Sequence, residues 1–321
     1  MISCNLCGST GVETFYDSLR DDRYGCPDVV SLLKCSRCSY LFTYPYITDD
    51  RLPSLYERYY PRGVEDPKEI LAQCEPMTKL HRLLAYFRGT DNQAQYIAFE
   101  FEKFLDVGSG SGGSALQARN LGCEVWTIEA DPSAKKFADA FGFTHHVGML
   151  QDAPAHFTQF DVVAFNQVLE HVTNPRLELR IALSRLSDQG KVFISVPNSD
   201  SLLAKISAKN WINWHVPFHV SHFSKSVLLG LLVDEGYEII ASYTRTPNMW
   251  VKIQILRYLG LDRRLIWSRH HEPKRERKQL LSRAARKVIL VTVGFVTPVI
   301  ARCLDLFHVG ESICVVARKA R

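Results

Sequence analysis

Two pairs of cysteines and one glycine-rich turn are the parts of this sequence whose residue types and spacing could do chemistry. Cys4-x-x-Cys7 and Cys35-x-x-Cys38 are two knuckles, each able to turn a pair of thiolates toward one metal ion. Four thiolates around one centre suit tetrahedral Zn2+, and with every position filled by protein such a metal would stabilise rather than catalyse. The chain between Cys7 and Cys35 is well within loop-closure reach. Unrelated packed cysteines and a redox dithiol are the other readings, although neither pair sits in a thioredoxin-like strand-helix context. Cys26, Cys74, Cys123, Cys303 and Cys314 stand singly and are expected to pack in the interior.

The turn is Phe104-Leu105-Asp106-Val107-Gly108-Ser109-Gly110-Ser111-Gly112-Gly113, an apolar strand followed by glycines that open a helix. Glycine lets a ligand approach the backbone closely, and a helix start offers unpaired N–H groups. Gly108-x-Gly110-x-x-Gly113 also satisfies the dinucleotide fingerprint, and Glu129 would hydrogen-bond a ribose in either case. Asp106 separates the two. A carboxylate two residues before the first glycine sits poorly beside a diphosphate and well beside a cation. S-adenosylmethionine (SAM) carries an ammonium and a sulfonium and no phosphate.

The elements that must hold this turn follow from the pattern of apolar runs. Strands at 103–107, 124–128, 144–147, 161–165 and 191–196 alternate with helices at 112–121, 133–141 and 174–186, and a short helix is predicted near 153–157. A long loop, a helix at 224–235 and strands at 237–244 and 312–317 come after them. Alternation at this spacing predicts an α/β, Rossmann-like, doubly wound, mostly parallel seven-stranded sheet. Residues 1–45 read as short strands around the cysteines, a piece too small to make a core without a staple, hence a small N-terminal zinc ribbon. Residues 46–100 read as a linker and helical extension, rich in Tyr, Pro and Arg, with helices over 77–87 and ahead of Phe101. The last domain spans 101–321 and carries an insertion at 245–310.

From about Phe104 to Thr244 the sequence resembles the class I SAM-dependent methyltransferases. The matching pieces come in order: Leu105 to Gly112, Thr127-Ile128-Glu129-Ala130-Asp131-Pro132, Phe160 through Glu170-His171-Val172, Gly190 to Asn198, and His219-Val220-Ser221-His222-Phe223-Ser224. The resemblance implies that Asp106, Gly108, Ser109, Gly110 and Gly112 surround the methionine part of SAM and that Glu129 holds the ribose. It also implies that Ala130, Met149, Leu150 and Gln167 line the adenine or the methyl-transfer mouth; Met149 and Leu150 could equally be core.

Methyl transfer to oxygen or carbon is an in-line displacement, so positioning dominates, and a neutral imidazole is a suitable acceptor for a hydroxyl proton. His171 follows the fourth parallel strand, at the carboxyl ends where open sheets bind ligands. It either touches substrate or orders the helix that begins near Asn174, and His219, beyond the fifth strand, has the same two readings. A metal held by His215, His219 and His222 lacks an accompanying carboxylate at helical spacing. Trp211, Trp214 and Phe218 are expected to wall the acceptor pocket.

A zinc ribbon ahead of such a domain is similar to the sugar C-methyltransferases that act on nucleotide-linked deoxysugars. Those enzymes have a Glu-His pair before a Phe-Ser element, whereas here Phe218 stands in the Glu place and His219 in the His place. They also have a further C-terminal domain with no counterpart in these 321 residues. Both departures favour methylation of a hydroxyl on a sugar or glycan precursor over carbon methylation. An RNA methyltransferase and a non-catalytic SAM-binding scaffold are the rival classes, the first disfavoured because the ribbon has few clustered basic residues and no stacking platform.

The bulk composition sets outer limits. A chain of 321 residues with 46% hydrophobic residues can bury a large core, and a net charge of +5 is too mild to specify a polyanionic partner by itself. The opening Met1-Ile2-Ser3-Cys4-Asn5 does not resemble a secretory leader, so a cytoplasmic protein is expected. The insertion begins with basic residues from Arg263 to Lys287 and continues into the apolar run 288–301, which Gly294 and Pro298 interrupt. It is read either as a helical hairpin packed on the domain or as a peripheral contact through 263–306 with the inner membrane surface or a second copy.

Overall fold

Phe104-Leu105, Val162-Val163-Ala164-Phe165 and Val192-Phe193-Ile194 are unbroken apolar runs, and all are buried. A strand buried on both faces needs covering layers on both sides. The computed structural model of the chain describes residues 2–60, 66–74, 79–88, 102–261 and 283–321. In chain order these hold β1 (Val12–Arg20), β2 (Val29–Cys35), β3 (Leu41–Tyr44), α1 (Arg51–Tyr59), α2 (Pro67–Gln73) and α3 (Lys79–Arg88). Then come β4 (Lys103–Val107), α4 (Gly113–Asn120), β5 (Glu124–Glu129), α5 (Lys135–Phe141), β6 (Thr144–Val147), β7 (Phe160–Asn166), α6 (Pro175–Arg185) and β8 (Leu186–Pro197). The chain finishes with α7 (Leu202–Ser207), β9 (Ser221–His222), α8 (Lys225–Asp234), β10 (Tyr237–Arg245), α9 (Asn248–Tyr258), α10 (Arg283–Leu306) and β11 (Ser312–Lys319).

The large sheet has seven strands in the order β10-β11-β8-β7-β4-β5-β6. The run from β8 to β6 is parallel, and β11 enters antiparallel between β8 and β10. The chain leaves β4 toward β5 and β6, then returns to β7 on the other side of β4. The carboxyl ends of β4 and β7 therefore form the topological switch point, where a crevice opens. This is the doubly wound, mostly parallel sheet expected of the sequence. Helix ends follow local signals: Asn174 and Ser224 cap α6 and α8 through their side chains, and Pro175 occupies the first turn of α6.

One helix expectation changes. Residues 150–152 form one 3-10 turn, and 153–157 continue as turns in which the Phe157 N–H returns to the Pro154 carbonyl. Proline has no N–H to extend a helical ladder there. The helix predicted ahead of Phe101 lies outside the described residues. The hairpin expected in the insertion is represented by α9 and α10, packed through Val251, Ala301 and Leu304.

The cysteine-bearing strands do not form a sheet of their own. β1, β2 and β3 are antiparallel, and β3 takes a fourth strand, β9, from the long loop after β8. Leu41 pairs with His222 and Phe42 with Ser221. Cys4, Leu33, Cys35 and Tyr40 share one core with Val163 of β7 and Ile194 of β8. Trp211 and Trp214 pack on the four-stranded sheet against Leu19, Val30, Leu32 and Leu41, and Trp211 Nε1 donates to Glu311 just ahead of β11 (2.7 Å). They are 1% and 3% exposed, so they are core filling rather than the pocket wall expected of them.

Candidate active site

The glycine turn lies at the carboxyl end of β4, beside the end of β5. Gly108 (φ 68°) and Ser109 both donate from their N–H groups to the Ile128 carbonyl, at 2.8 and 3.1 Å. A Cβ on Gly108 would stand 2.6 Å from Val168 Cγ2, so both the left-handed backbone and the neighbouring side chain require glycine. Gly110 (φ 52°) has open space where a Cβ would be, and Gly112 (φ 78°) is the residue from which α4 starts. Glu129 accepts from the N–H groups of Gly110 (2.9 Å) and Asp131 (3.0 Å). Each carboxylate oxygen keeps a lone pair for a further donor such as a ribose hydroxyl.

Asp106 is 2% exposed, and burial together with the nearby Glu129 carboxylate pushes it up to about 7. A buried carboxylate in that state is relieved by a cation and made worse by a phosphate. The residues present therefore fit a cationic ligand such as SAM.

The remaining predicted cofactor residues divide. Ala130 and Met149 are exposed beside the turn, whereas Leu150 is 1% exposed and packs with Val107 and Ile128 in the core. The side chain of Leu150 therefore does not line an open site. Gln167 has a positive φ of 58°. Its Nε2 donates to Ser195 Oγ (3.2 Å) and Ser312 Oγ (3.0 Å), tying β7 to β8 and β11, while its Oε1 is buried with no hydrogen-bond partner. A non-glycine residue held there costs about 1–3 kcal/mol, the kind of strain found at ligand sites.

His171 and His219 are brought together, with ring centroids 4.6 Å apart. His171 Nδ1 lies 3.0 Å from the Phe218 carbonyl and 2.6 Å from the Tyr56 hydroxyl. A carbonyl can only accept, so Nδ1 carries the proton and the Nε2 lone pair is left over. His219 Nδ1 likewise donates to the Asn213 carbonyl (2.8 Å), but its Nε2 faces His215 Nδ1 at 3.3 Å. His219 thus has its second nitrogen engaged and His171 does not. Burial holds His171 down at about 4, so it is a neutral imidazole at neutral pH.

Three contributors were not legible in the sequence. Tyr56 comes from α1 in the expected linker, and its ring packs tilted against Tyr60 and edge-on to Phe218 beside the histidines. Glu170 is 2% exposed, pushed up to about 8 by burial, and leaves Oε2 without a partner. One ligand-capable atom each from Glu170, His171 and His219 lie within 4.8 Å of one another. Thr43 of β3 donates from Oγ1 to the His219 carbonyl (2.7 Å) and from its N–H to the Val220 carbonyl (3.1 Å), so the cysteine-bearing sheet sets the His219 loop. A Tyr-rich run next to a proline was the available signal for Tyr56, and the matching run that ends in Glu170-His171-Val172 was that for Glu170; nothing local marks Thr43.

The four predicted cysteines converge. Their sulfurs lie within 4.8 Å of one another, with Cys4–Cys38 at 3.7 Å and Cys7–Cys35 at 3.6 Å. The edge of a tetrahedron with Zn–S bonds of 2.3 Å is about 3.8 Å. Burial pushes the Cys4 thiol up to about 11; against the same penalty, the N–H groups of Cys38 and Arg37 hold Cys35 at about 7. The knuckles match: the N–H of Gly8 returns to the Cys4 carbonyl (2.8 Å) and that of Ser39 to the Cys35 carbonyl (2.9 Å), with both residues left-handed.

Residues 71–242, more than half of the chain, match the family described as "Methyltransferase domain". A ubiquinone biosynthesis O-methyltransferase of Xanthomonas oryzae pv. oryzae is 32% identical over 103 residues, which cover 30% of this chain and 43% of that one. One from Cereibacter sphaeroides is 28% identical over 152 residues, 45% of this chain and 60% of that one. The chain thus spans less than two thirds of the length of these curated relatives. Among solved structures, a SAM-dependent methyltransferase from Archaeoglobus fulgidus is similar with a TM-score of 0.43 and 17% identity, over 79% of this chain and 95% of that one. Coclaurine N-methyltransferase is similar with a TM-score of 0.46 and 16% identity, over 75% of this chain and 72% of that one.

Proposed function

The chain belongs to the methyltransferase domain family; from that premise we propose that it is a SAM-dependent methyltransferase, that its acceptor atom is a hydroxyl oxygen and that His171 Nε2 takes the proton. SAM supplies an electrophilic methyl group on a positively charged sulfur. Asp106 faces the cationic end of the ligand, Glu129 takes its ribose hydroxyls, and the glycine turn admits its backbone-hugging portion. His171 holds its Nδ1 proton on Phe218 and Tyr56, so its free lone pair meets the hydroxyl at the carboxyl edge of the sheet. The lone pair left on His171 Nε2, where that of its neighbour His219 is engaged, is the observation that carries the reading. His219, engaged on both nitrogens, is a positioning residue.

The resemblance of the ribbon favours a saccharide hydroxyl, but none of the relatives named above refers to a sugar. Two of them are named as O-methyltransferases of ubiquinone biosynthesis, which supports oxygen as the accepting atom. Purified protein incubated with methyl-labelled SAM and panels of nucleotide sugars, glycan intermediates and hydroxylated ubiquinone precursors tests this. Label in an ether linkage is expected; label only on carbon, nitrogen or RNA overturns the hydroxyl reading.

Cys4, Cys7, Cys35 and Cys38 hold a structural zinc in the same reading, supported by the near-tetrahedral spacing of their sulfurs. One equivalent of zinc by metal analysis is expected, and its loss in Cys35→Ser; a metal-free, fully folded chain overturns it.

A further inference from the structure

Helix α10 has two unlike faces. Val293, Thr297, Ala301 and Leu304 are buried, and Ala301 and Leu304 pack on Val251 of α9. Val288, Phe295, Val299 and Leu306 are 64–76% exposed and recur at steps of seven and four residues, one side of a helix. The preceding α3 packs against α10, where the Arg302 guanidinium lies over the Tyr86 ring and donates to the Tyr86 carbonyl. It presents Leu80, Leu83 and Phe87, each more than half exposed. Two neighbouring helices therefore leave large apolar side chains in water, more than scattered surface residues explain.

We propose that α3 and α10 form a docking surface for an anionic lipid membrane. Residues 288–306 reach a mean hydropathy of 1.8, which is long and apolar enough to span a bilayer, but the helix is pinned. Arg302 and Asp305 form an ion pair at 3.0 Å, and Asp305 accepts from Thr246 at the end of β10. Spanning would strip these groups and the buried face from the domain, so α10 lies on the surface. Charge selects the lipid over a second copy of the chain. By sequence the two helices carry Lys79, Arg82, Arg88, Arg283, Arg286 and Lys287, and their sole acid is Asp305, which is buried on Arg302. Two copies of so basic a pair of helices repel each other, whereas anionic headgroups attract both the charge and the exposed apolar side chains. The insertion also leaves the large sheet at Arg245, beside Ser312 and Pro197. That is the carboxyl edge holding the glycine turn and His171, so the docked enzyme would face the lipid from its active-site edge.

The test is sedimentation of the full-length protein with phosphatidylcholine vesicles, with and without phosphatidylglycerol. The protein should pellet with the anionic vesicles only and be released by high salt or alkaline carbonate. The double variant Phe295→Glu, Val299→Glu should lose about tenfold in vesicle affinity, the scale of two half-buried apolar side chains, while keeping its SAM affinity by calorimetry. No pelleting, pelleting unaffected by the double variant, or retention through carbonate overturns the proposal. So does a dimer by light scattering that the variant splits into monomers.

Discussion

At the residue scale, the site works through groups whose charge state burial decides. Asp106, held near 7, must be ionised to meet a cationic ligand. Its pKa in the free protein is raised, so it keeps a proton below about 7 and must release it when the ligand binds. SAM affinity is therefore expected to weaken as pH falls through 7 and to level off above it. Calorimetry at several pH values checks this, and Asp106→Asn should bind weakly with a flat profile. For His171, replacement by alanine is expected to lower kcat by roughly a hundredfold to ten-thousandfold with little change in SAM affinity. His219→Ala should also lower kcat, but through misplacement of the pair, which mutant crystal structures or imidazole NMR shifts would register. His171 and His222 are both neutral in the fold, at about 4 and 3, because burial disfavours their charged forms. The unfolded chain binds protons there below about 6.5, so stability is lost as pH falls from about 6.5 toward 4.

At the element scale, strand ends and knuckles hold these residues in backbone conformations that sequence motifs only partly announce. Gly108 was legible because no other residue tolerates both its φ and the approach of Val168. Gln167 was expected at the site from the resemblance, but its positive φ and its role as a brace between β7, β8 and β11 were not legible. For Leu150 both readings, pocket lining and core, stood open, because an apolar side chain after a strand reads the same whether it turns inward or outward; its side chain packs in the core. In the second knuckle Ser39 occupies the left-handed position that Gly8 fills in the first, with φ 60°. Ser39→Gly should stabilise the protein by up to about 1 kcal/mol, since the strain relieved exceeds the added backbone entropy of the unfolded chain. Urea unfolding of the two proteins measures it.

At the scale of the whole molecule, the cysteine-bearing sheet and the catalytic sheet are joined by their shared core, by Trp211, which packs on the first and bonds Glu311 ahead of β11, and by the bonds from Thr43 to the His219 loop. Removing metal from the four cysteines is expected to do more than loosen residues 1–45. Chelation should lower kcat by loosening the His219 loop, while SAM affinity at the glycine turn, which β4 and β5 hold, changes little. Activity and calorimetry before and after chelation, with zinc restoring the first, check this split.

Sequence alone determined the seven strands, the glycine turn with Asp106 and Glu129, and the four cysteines. Each rests on local rules: apolar periodicity, the φ that only glycine adopts readily, and ligand spacing within a knuckle. Tertiary structure decided what lies between those pieces. It placed Tyr56 on His171, set Thr43 under His219, buried the tryptophans on the four-stranded sheet, and left His171, unlike its neighbour His219, with Nε2 unengaged. Those contacts join residues more than a hundred positions apart or depend on which carbonyl meets which ring nitrogen, and no local pattern along the chain encodes such meetings.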